Sequence, residues 1–203
     1  FLKNLVYCDD EFDTGPKPDD AYRRFNTMAR AAPSGSGGVL FLPWLTGTVV
    51  PKEDPHVRGG FVNLSLGVDR RHLSRAIMEG LAYNNRWTRE AAEKFIGRRI
   101  RRLRFSGGGA LSDVWSQIHA DVLGVPIHQI DDPLNTTVRG TALLALITLG
   151  YRAIDEIPGL IRIKRVFEPD ESNRDIYDRM YTQYRAFFKR NRKIFSALNS
   201  RQQ

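Results

Sequence analysis

Short apolar segments alternate with longer segments that carry an amphipathic helical repeat, and this alternation restricts the fold more than any other feature. The predicted strands lie at 39–42, 60–66, 100–106, 126–130 and 161–167. Strands separated by helices are typical of an α/β domain with helices on both faces of a sheet. We therefore predict an α/β fold.

The helical segments have recognisable ends. They run from about 20 to 31, 69 to 97, 112 to 124, 140 to 149 and 171 to 198. Asp69 can cap the longest early helix, Ser112 or Asp113 can cap the next one, and Gly97 and Gly124 can end helices. Three parts are predicted: 1–35 as the tail of a preceding segment with a loop and a helix, 36–170 as the main lobe, and 171–203 as a C-terminal helix.

Composition excludes several protein classes. The 203 residues are 41% hydrophobic and 27% charged, which suits a globular chain, and no apolar run is long enough to span a bilayer. The lone thiol of Cys8 suits a reducing compartment, so we expect a cytoplasmic protein. The chain begins at Phe1 within an apolar pattern, and we expect that an N-terminal part is missing.

The net charge of +8 indicates either that the chain has an anionic partner or that the charge keeps the chain soluble. The basic residues are dispersed except at 98–104 and 189–193. No aromatic residues that could stack on bases are interleaved with the first run. We interpret that run as a solvated strand edge, and a basic nucleic-acid-binding domain stays as an alternative.

Three consecutive glycines, Gly107, Gly108 and Gly109, lie between a predicted strand and a predicted helix. Backbone without Cβ atoms can adopt positive φ and approach a ligand closely, and a helix start offers unpaired N–H groups. This arrangement suits a nucleotide, with Asp113 near the base. On spacing alone, a plain strand-to-helix turn explains the glycines slightly better, since P-loop and dinucleotide motifs are absent.

Six stretches in one order make the chain resemble the C-terminal domain of the FGGY carbohydrate kinases, the family of xylulokinase, glycerol kinase and gluconokinase. The stretches are 38–43 with Gly47 and Pro51, 54–61, positions 64 to 79, 106–110, 121–126 and 139–145. Each stretch alone is only weakly specific for the family, but six of them in the same order are strong evidence for the resemblance. The closing tyrosines, Tyr177, Tyr181 and Tyr184, resemble those of xylulokinase-like members. They belong to an apolar stripe of the last helix, here called the tyrosine stripe, that ends at Leu198 and that we interpret as core. Packing of the stripe on a missing lobe or on a second subunit is the alternative.

The resemblance implies an actin/hexokinase-like (ribonuclease H-like) ATPase lobe with a mixed sheet flanked by helices, where ATP and Mg²⁺ lie in a cleft and a sugar hydroxyl attacks the γ-phosphoryl group. It implies that Gly107, Gly108, Gly109 and Ala110 form the wall against adenosine and the α-phosphate, with Asp113 near the adenine. It places the catalytic Asp, most Mg²⁺ contacts and the sugar site in a missing N-terminal lobe. No catalytic or metal-binding residue is therefore assigned here.

Departures from the family pattern, such as Thr48 and Val49 after Gly47 where the family has Gly-Glu-Arg, support a second hypothesis. In it the chain is a non-catalytic, actin-like nucleotide-binding regulator or scaffold. The expected partners are ATP and, through the missing lobe, a sugar; no membrane partner is expected, and a homodimer is left open. We further expect His119 on a helix flank and an Asp54–Arg58 ion pair.

Overall fold

The structure is a computed structural model that describes residues 5, 6, 16 and 18–200. Its helices are α1 (Ala21–Ala31), α2 (Arg70–Ile96), α3 (Asp113–Leu123), α4 (Thr136–Thr148), α5 (Ile157–Leu160) and α6 (Arg174–Asn199). Its strands are β1 (Leu40–Leu42), β2 (Gly60–Val62), β3 (Leu103–Phe105), β4 (Ile127–Ile130) and β5 (Ile163–Phe167). Cys8 and most of the helix tail predicted at 1–7 lie outside the described residues.

The strands pair in both senses. β1 and β2 form an antiparallel pair, while β4 pairs in parallel with β3 and antiparallel with β5. The predicted mixed sheet is thereby confirmed. The five strands are divided between these two small sheets rather than joined in one, within the part of the chain that the structure describes.

Several boundaries differ from the sequence predictions. The strand predicted at 60–66 ends at Val62, because Asn63 adopts a left-handed φ of 67° that leaves the extended conformation. The helix predicted from Gly140 begins at Thr136, directly after a 3₁₀ turn at Pro133–Asn135. The strands predicted at 100–106 and 161–167 begin at Leu103 and Ile163.

The largest hydrophobic core joins β1, α2, α3 and α6. Its aromatic centre is contributed mainly by α6, as the tyrosine stripe predicted: the Trp44 ring lies 5.2 Å from Tyr184 and 5.0 Å from Phe188, and Tyr83 contacts Tyr177 and Tyr184. Aromatic pairs of this kind add stability beyond the apolar area that they bury. Leu198, which the stripe also included, is exposed.

One carboxylate, that of Glu79, lies within this core at 0% exposure. It accepts hydrogen bonds from Arg75 Nε at 2.7 Å, the Ser36 hydroxyl at 2.7 Å, the Tyr177 hydroxyl at 2.9 Å and the Gly35 N–H at 3.0 Å. Burial raises the pKa of Glu79, and the neighbouring Arg75 guanidinium opposes that shift. The network therefore ties α2 to α6 and to the loop before β1.

Helix α4 lies outside the hydrophobic core, and none of its residues is buried. Its apolar side chains include Val138 and Leu144, which are largely exposed, as are Leu149 and Ile154 beyond it. No helix among the described residues is long and apolar enough to cross a membrane.

Replacing Glu79 by Ala tests the buried network. The variant leaves the Arg75 guanidinium without its carboxylate partner, and breaking a buried ion pair in this way costs about 3–5 kcal/mol of unfolding free energy. Urea denaturation followed by circular dichroism measures the loss. The matched control is Glu171→Ala, since the ion pair between Glu171 and Arg174 is solvent-exposed and its removal should change stability little. Equal stabilities of the two variants would contradict the prediction.

Candidate functional site

The glycine turn links β3 to α3 through a single 3₁₀ turn, Gly108–Leu111. Gly107 has φ 80° and ψ −174°, a conformation that is essentially restricted to glycine. Its N–H donates to the Pro133 carbonyl at 2.9 Å, and its own carbonyl accepts from the Ala110 N–H at 3.0 Å. The turn is thus held at its base, and the α-helix begins one turn later than the glycines.

The three glycines differ in what surrounds them. A Cβ added to Gly107 or Gly108 would have no atom within 4 Å, whereas one added to Gly109 would lie 3.0 Å from the Trp115 ring. Gly109 therefore allows close packing of the turn on that ring, while Gly107 and Gly108 form its open side. Among the described residues nothing accepts the N–H groups of Gly108 and Gly109.

Gln129, on β4, connects the turn to Asp113. Its side-chain amide donates to the Ala110 carbonyl at 2.7 Å and to Asp113 Oδ1 at 3.1 Å, and the residue is 1% exposed. Because the N–H and carbonyl of buried Ala110 are both used internally, Ala110 supports the turn from below. Sequence reasoning missed Gln129, although it alternates with His128 onto the face of β4 that carries Ile127, and a polar residue on that buried face was a signal.

Asp113 is the first residue of α3, at the edge of the turn. Arg165 Nη1 donates to its Oδ2 at 3.2 Å, so the carboxylate is oriented from two sides and stays partly exposed. A cavity of about 290 Å³ opens beside it, with Gln117 and Phe167 among its lining residues.

The start of α3 is fixed by Ser112, as the sequence predicted. Its hydroxyl accepts the Trp115 N–H at 3.1 Å and donates to Asn26 Oδ1 at 2.7 Å. The cap satisfies one of the N–H groups that a helix start leaves free. It also joins the turn to α1.

His119 lies directly beneath the turn. We expected it on a helix flank, but it is 3% exposed, and its ring lies 4.5 Å from that of Phe105. Nδ1 lies 2.8 Å from the Trp115 carbonyl and Nε2 lies 3.0 Å from Asn85 Nδ2, which assigns the ring proton to Nδ1. Burial lowers the pKa of His119 to about 4. His119 is therefore a neutral packing residue.

The expected ion pair between Asp54 and Arg58 does not form. Asp54 Oδ2 instead accepts from Arg192 Nε of α6 at 2.6 Å, and Arg58 donates to the carbonyls of Pro55 and Val57. Asp54 consequently fastens the loop after β1 to α6.

The described residues contain no group of three or more His, Cys, Asp and Glu side chains that could hold a metal ion. Asp113, at the edge of the turn, is already engaged by the guanidinium of Arg165. The described residues alone therefore form no complete Mg²⁺ site.

A sequence model of the C-terminal domain of the FGGY family of carbohydrate kinases matches residues 8–149. The chain belongs to this family. Among FGGY relatives, the xylulose kinase of Staphylococcus epidermidis is 28% identical over 89% of this chain and 36% of its own length. The glycerol kinase of Leptothrix cholodnii is 36% identical over 76% of this chain and 32% of its own length.

Solved structures of FGGY kinases share the fold. The xylulose kinase of Rhodospirillum rubrum superposes with a TM-score of 0.76 at 29% identity, covering 96% of this chain and 38% of that one. The glycerol kinase of Plasmodium falciparum gives a TM-score of 0.69 at 20% identity, covering 91% of this chain and 35% of that one. The predicted actin/hexokinase-like ATPase lobe is confirmed. The chain spans about a third of the length of its relatives.

His119 gives the chain a testable pH dependence. A histidine whose pKa is lowered from 6.5 to about 4 by folding stabilises the protein above pH 6.5, and this contribution of up to about 3 kcal/mol is lost as the pH falls toward 4. We expect His119→Gln to lose less stability than the wild type over that range. Urea unfolding at a series of pH values measures both, and parallel curves would contradict the assignment.

Proposed function

We propose that the chain is the nucleotide-binding lobe of an ATP-dependent sugar kinase, which transfers the ATP γ-phosphate to a sugar hydroxyl. The observation that carries the proposal is the open side of the turn at Gly107 and Gly108, with Asp113 fixed beside it by Gln129 and Arg165. Nothing projects from this backbone, so a flat ligand can approach it.

Each residue of the turn has a separate part in this proposal. Gly107 and Gly108 offer the surface against which the adenosine lies, and Asp113 accepts a hydrogen bond from its amino group. The free N–H groups of Gly108 and Gly109 are donors for an α-phosphate oxygen. The Cα of Gly109 packs on Trp115, so only its N–H faces the ligand in this proposal, and Ala110 acts indirectly because Gln129 holds it.

The comparisons support a nucleotide ligand and a sugar substrate. The structure of the Plasmodium falciparum glycerol kinase is one with ADP, and the xylulose kinases of Rhodospirillum rubrum and Staphylococcus epidermidis align with nearly the whole chain. We infer a pentulose-like sugar from the xylulose kinases. The base and the residues that hold the sugar and Mg²⁺ belong, in this proposal, to the two thirds of the relatives that have no counterpart here.

Gly108→Val tests the open side of the turn. The added Cβ meets no protein atom within 4 Å, and the side chain occupies the space proposed for adenosine. We expect the affinity for ATP, measured by isothermal titration calorimetry, to fall by about tenfold or more, roughly 1.4 kcal/mol.

Gly159→Val on α5 is the matched control, because its added Cβ also has no neighbour within 4 Å. Its ATP affinity should equal that of the wild type. Unchanged binding by Gly108→Val, or no ATP binding by the wild type, would overturn the proposal.

A second prediction concerns turnover. Phosphoryl transfer requires positioned phosphates, Mg²⁺ and a base at the same time, and this chain is proposed to provide the adenosine side only. We expect no sugar phosphorylation above the blank when this chain is incubated with ATP, Mg²⁺ and xylulose or glycerol in a coupled ADP-release assay. Clear turnover would contradict this division of roles.

A further inference from the structure

We propose that a groove at the C-terminal ends of α2 and α3, here called the arginine groove, binds a small molecule that carries several phosphate groups. The groove has a volume of about 950 Å³ and includes the start of α6 in its wall. Its basic lining residues include Arg86, Arg89, Lys94, Arg98, Arg99 and Arg101.

The acidic residues of the groove are already used by internal hydrogen bonds. Glu90 accepts from the Tyr181 hydroxyl at 2.7 Å, Glu93 from the Ile100 N–H at 2.8 Å, and Asp178 from Arg86 at 2.6 Å. Asp121 accepts from the Asp170 N–H at 2.9 Å. Glu90 and Glu93 also pair with Arg86 and Arg89, at 3.7 and 3.5 Å. Among the described residues, no ion pair reaches the arginines of the segment after α2, so their charge is not offset by one.

Three arginines carry that uncompensated charge. Arg98, Arg99 and Arg101 are exposed and make no hydrogen bond or ion pair with any described residue. The bond from Ile100 to Glu93 holds the backbone of this segment against α2, and all three arginines line the groove. Planar guanidinium groups bind phosphate oxygens through paired hydrogen bonds, which makes them suited to a phosphorylated ligand.

Arg89, in the wall of the groove, is affected by the same concentration of positive charge. Burial lowers the pKa of Arg89, and the charges of Arg86 and Arg99 lower it further, although Glu93 opposes them. A bound anion would relieve the repulsion among these cations. A ligand with several negative charges should therefore bind the groove more tightly than a ligand with one.

A small ligand fits the groove better than a nucleic acid does. No aromatic side chain lines the groove, so stacking platforms for bases are absent from it. The four carboxylates interrupt the basic surface that an extended phosphate backbone would follow. The volume, in contrast, falls within the range of small-molecule sites, about 300–1,000 Å³.

The arginine groove is separate from the glycine turn. Asp113 begins α3 at the turn, whereas Leu123 ends α3 in the groove. An 11-residue helix spans about 16 Å, so the two sites lie at opposite ends of one rigid element.

The test uses inorganic tripolyphosphate as the probe and a charge-reversed double variant, Arg99→Glu with Arg101→Glu. The control, Lys189→Glu with Lys193→Glu, changes the charge equally at exposed positions on α6. We expect the first variant to bind tripolyphosphate about tenfold more weakly than the wild type and the control. Its affinity for adenosine, which carries no phosphate group, should stay close to that of the wild type, and circular dichroism checks that each variant is folded.

Three outcomes with tripolyphosphate would overturn the proposal. The wild type fails to bind tripolyphosphate at millimolar concentration; the two double variants bind it equally; or Gly108→Val, rather than the arginine variant, loses it, which would place the probe at the glycine turn. Tighter, arginine-dependent binding of a short single-stranded RNA at physiological salt would also overturn it, in favour of nucleic acid. Should the double variant unfold, the single variants Arg99→Gln and Arg101→Gln replace it.

Discussion

The carboxylate of Glu79 accepts hydrogen bonds from a guanidinium, two hydroxyls and a backbone N–H, and through them it joins parts of the chain that are distant in sequence. Tyr177, one of the donors, is 98 residues away on α6. A buried charge of this kind favours one arrangement of its neighbours, because any other arrangement leaves a donor or an acceptor unpaired. The position of α2 relative to α6 and to the loop before β1 follows from it.

The same helix, α2, positions the candidate site. The Trp115 indole donates to the Met78 carbonyl at 3.1 Å, and Asn85 binds the ring of His119. His119 in turn packs under Phe105, the last residue of β3 before the turn. The glycine turn is therefore supported from below by a continuous series of packed groups. These groups, rather than exposed side chains, hold the backbone of its open side in place.

Sequence patterns predicted those features that local chemistry determines. Asp69 and Gly97 bound α2, and Ser112 caps α3, because capping residues act on the nearest helical turn. Patterns failed where the deciding contact is distant: the partner of Asp54 is Arg192, 138 residues away, rather than Arg58. The glycines were predicted as one wall, and only the location of the Trp115 ring distinguishes Gly109 from the other two. The roles of Gly107, Gly108 and Asp113 toward a nucleotide stay predictions.

The exposure of α4 has a thermodynamic consequence. Apolar side chains that remain hydrated in the folded chain, such as Val138 and Leu144, gain no new hydration shell when the chain unfolds. They therefore add little to the heat-capacity increment of unfolding, which is ordinarily about 12–15 cal/mol/K per residue. A smaller increment flattens the curve of unfolding free energy against temperature. Calorimetry should therefore give a heat-capacity increment per residue toward the low end of that range.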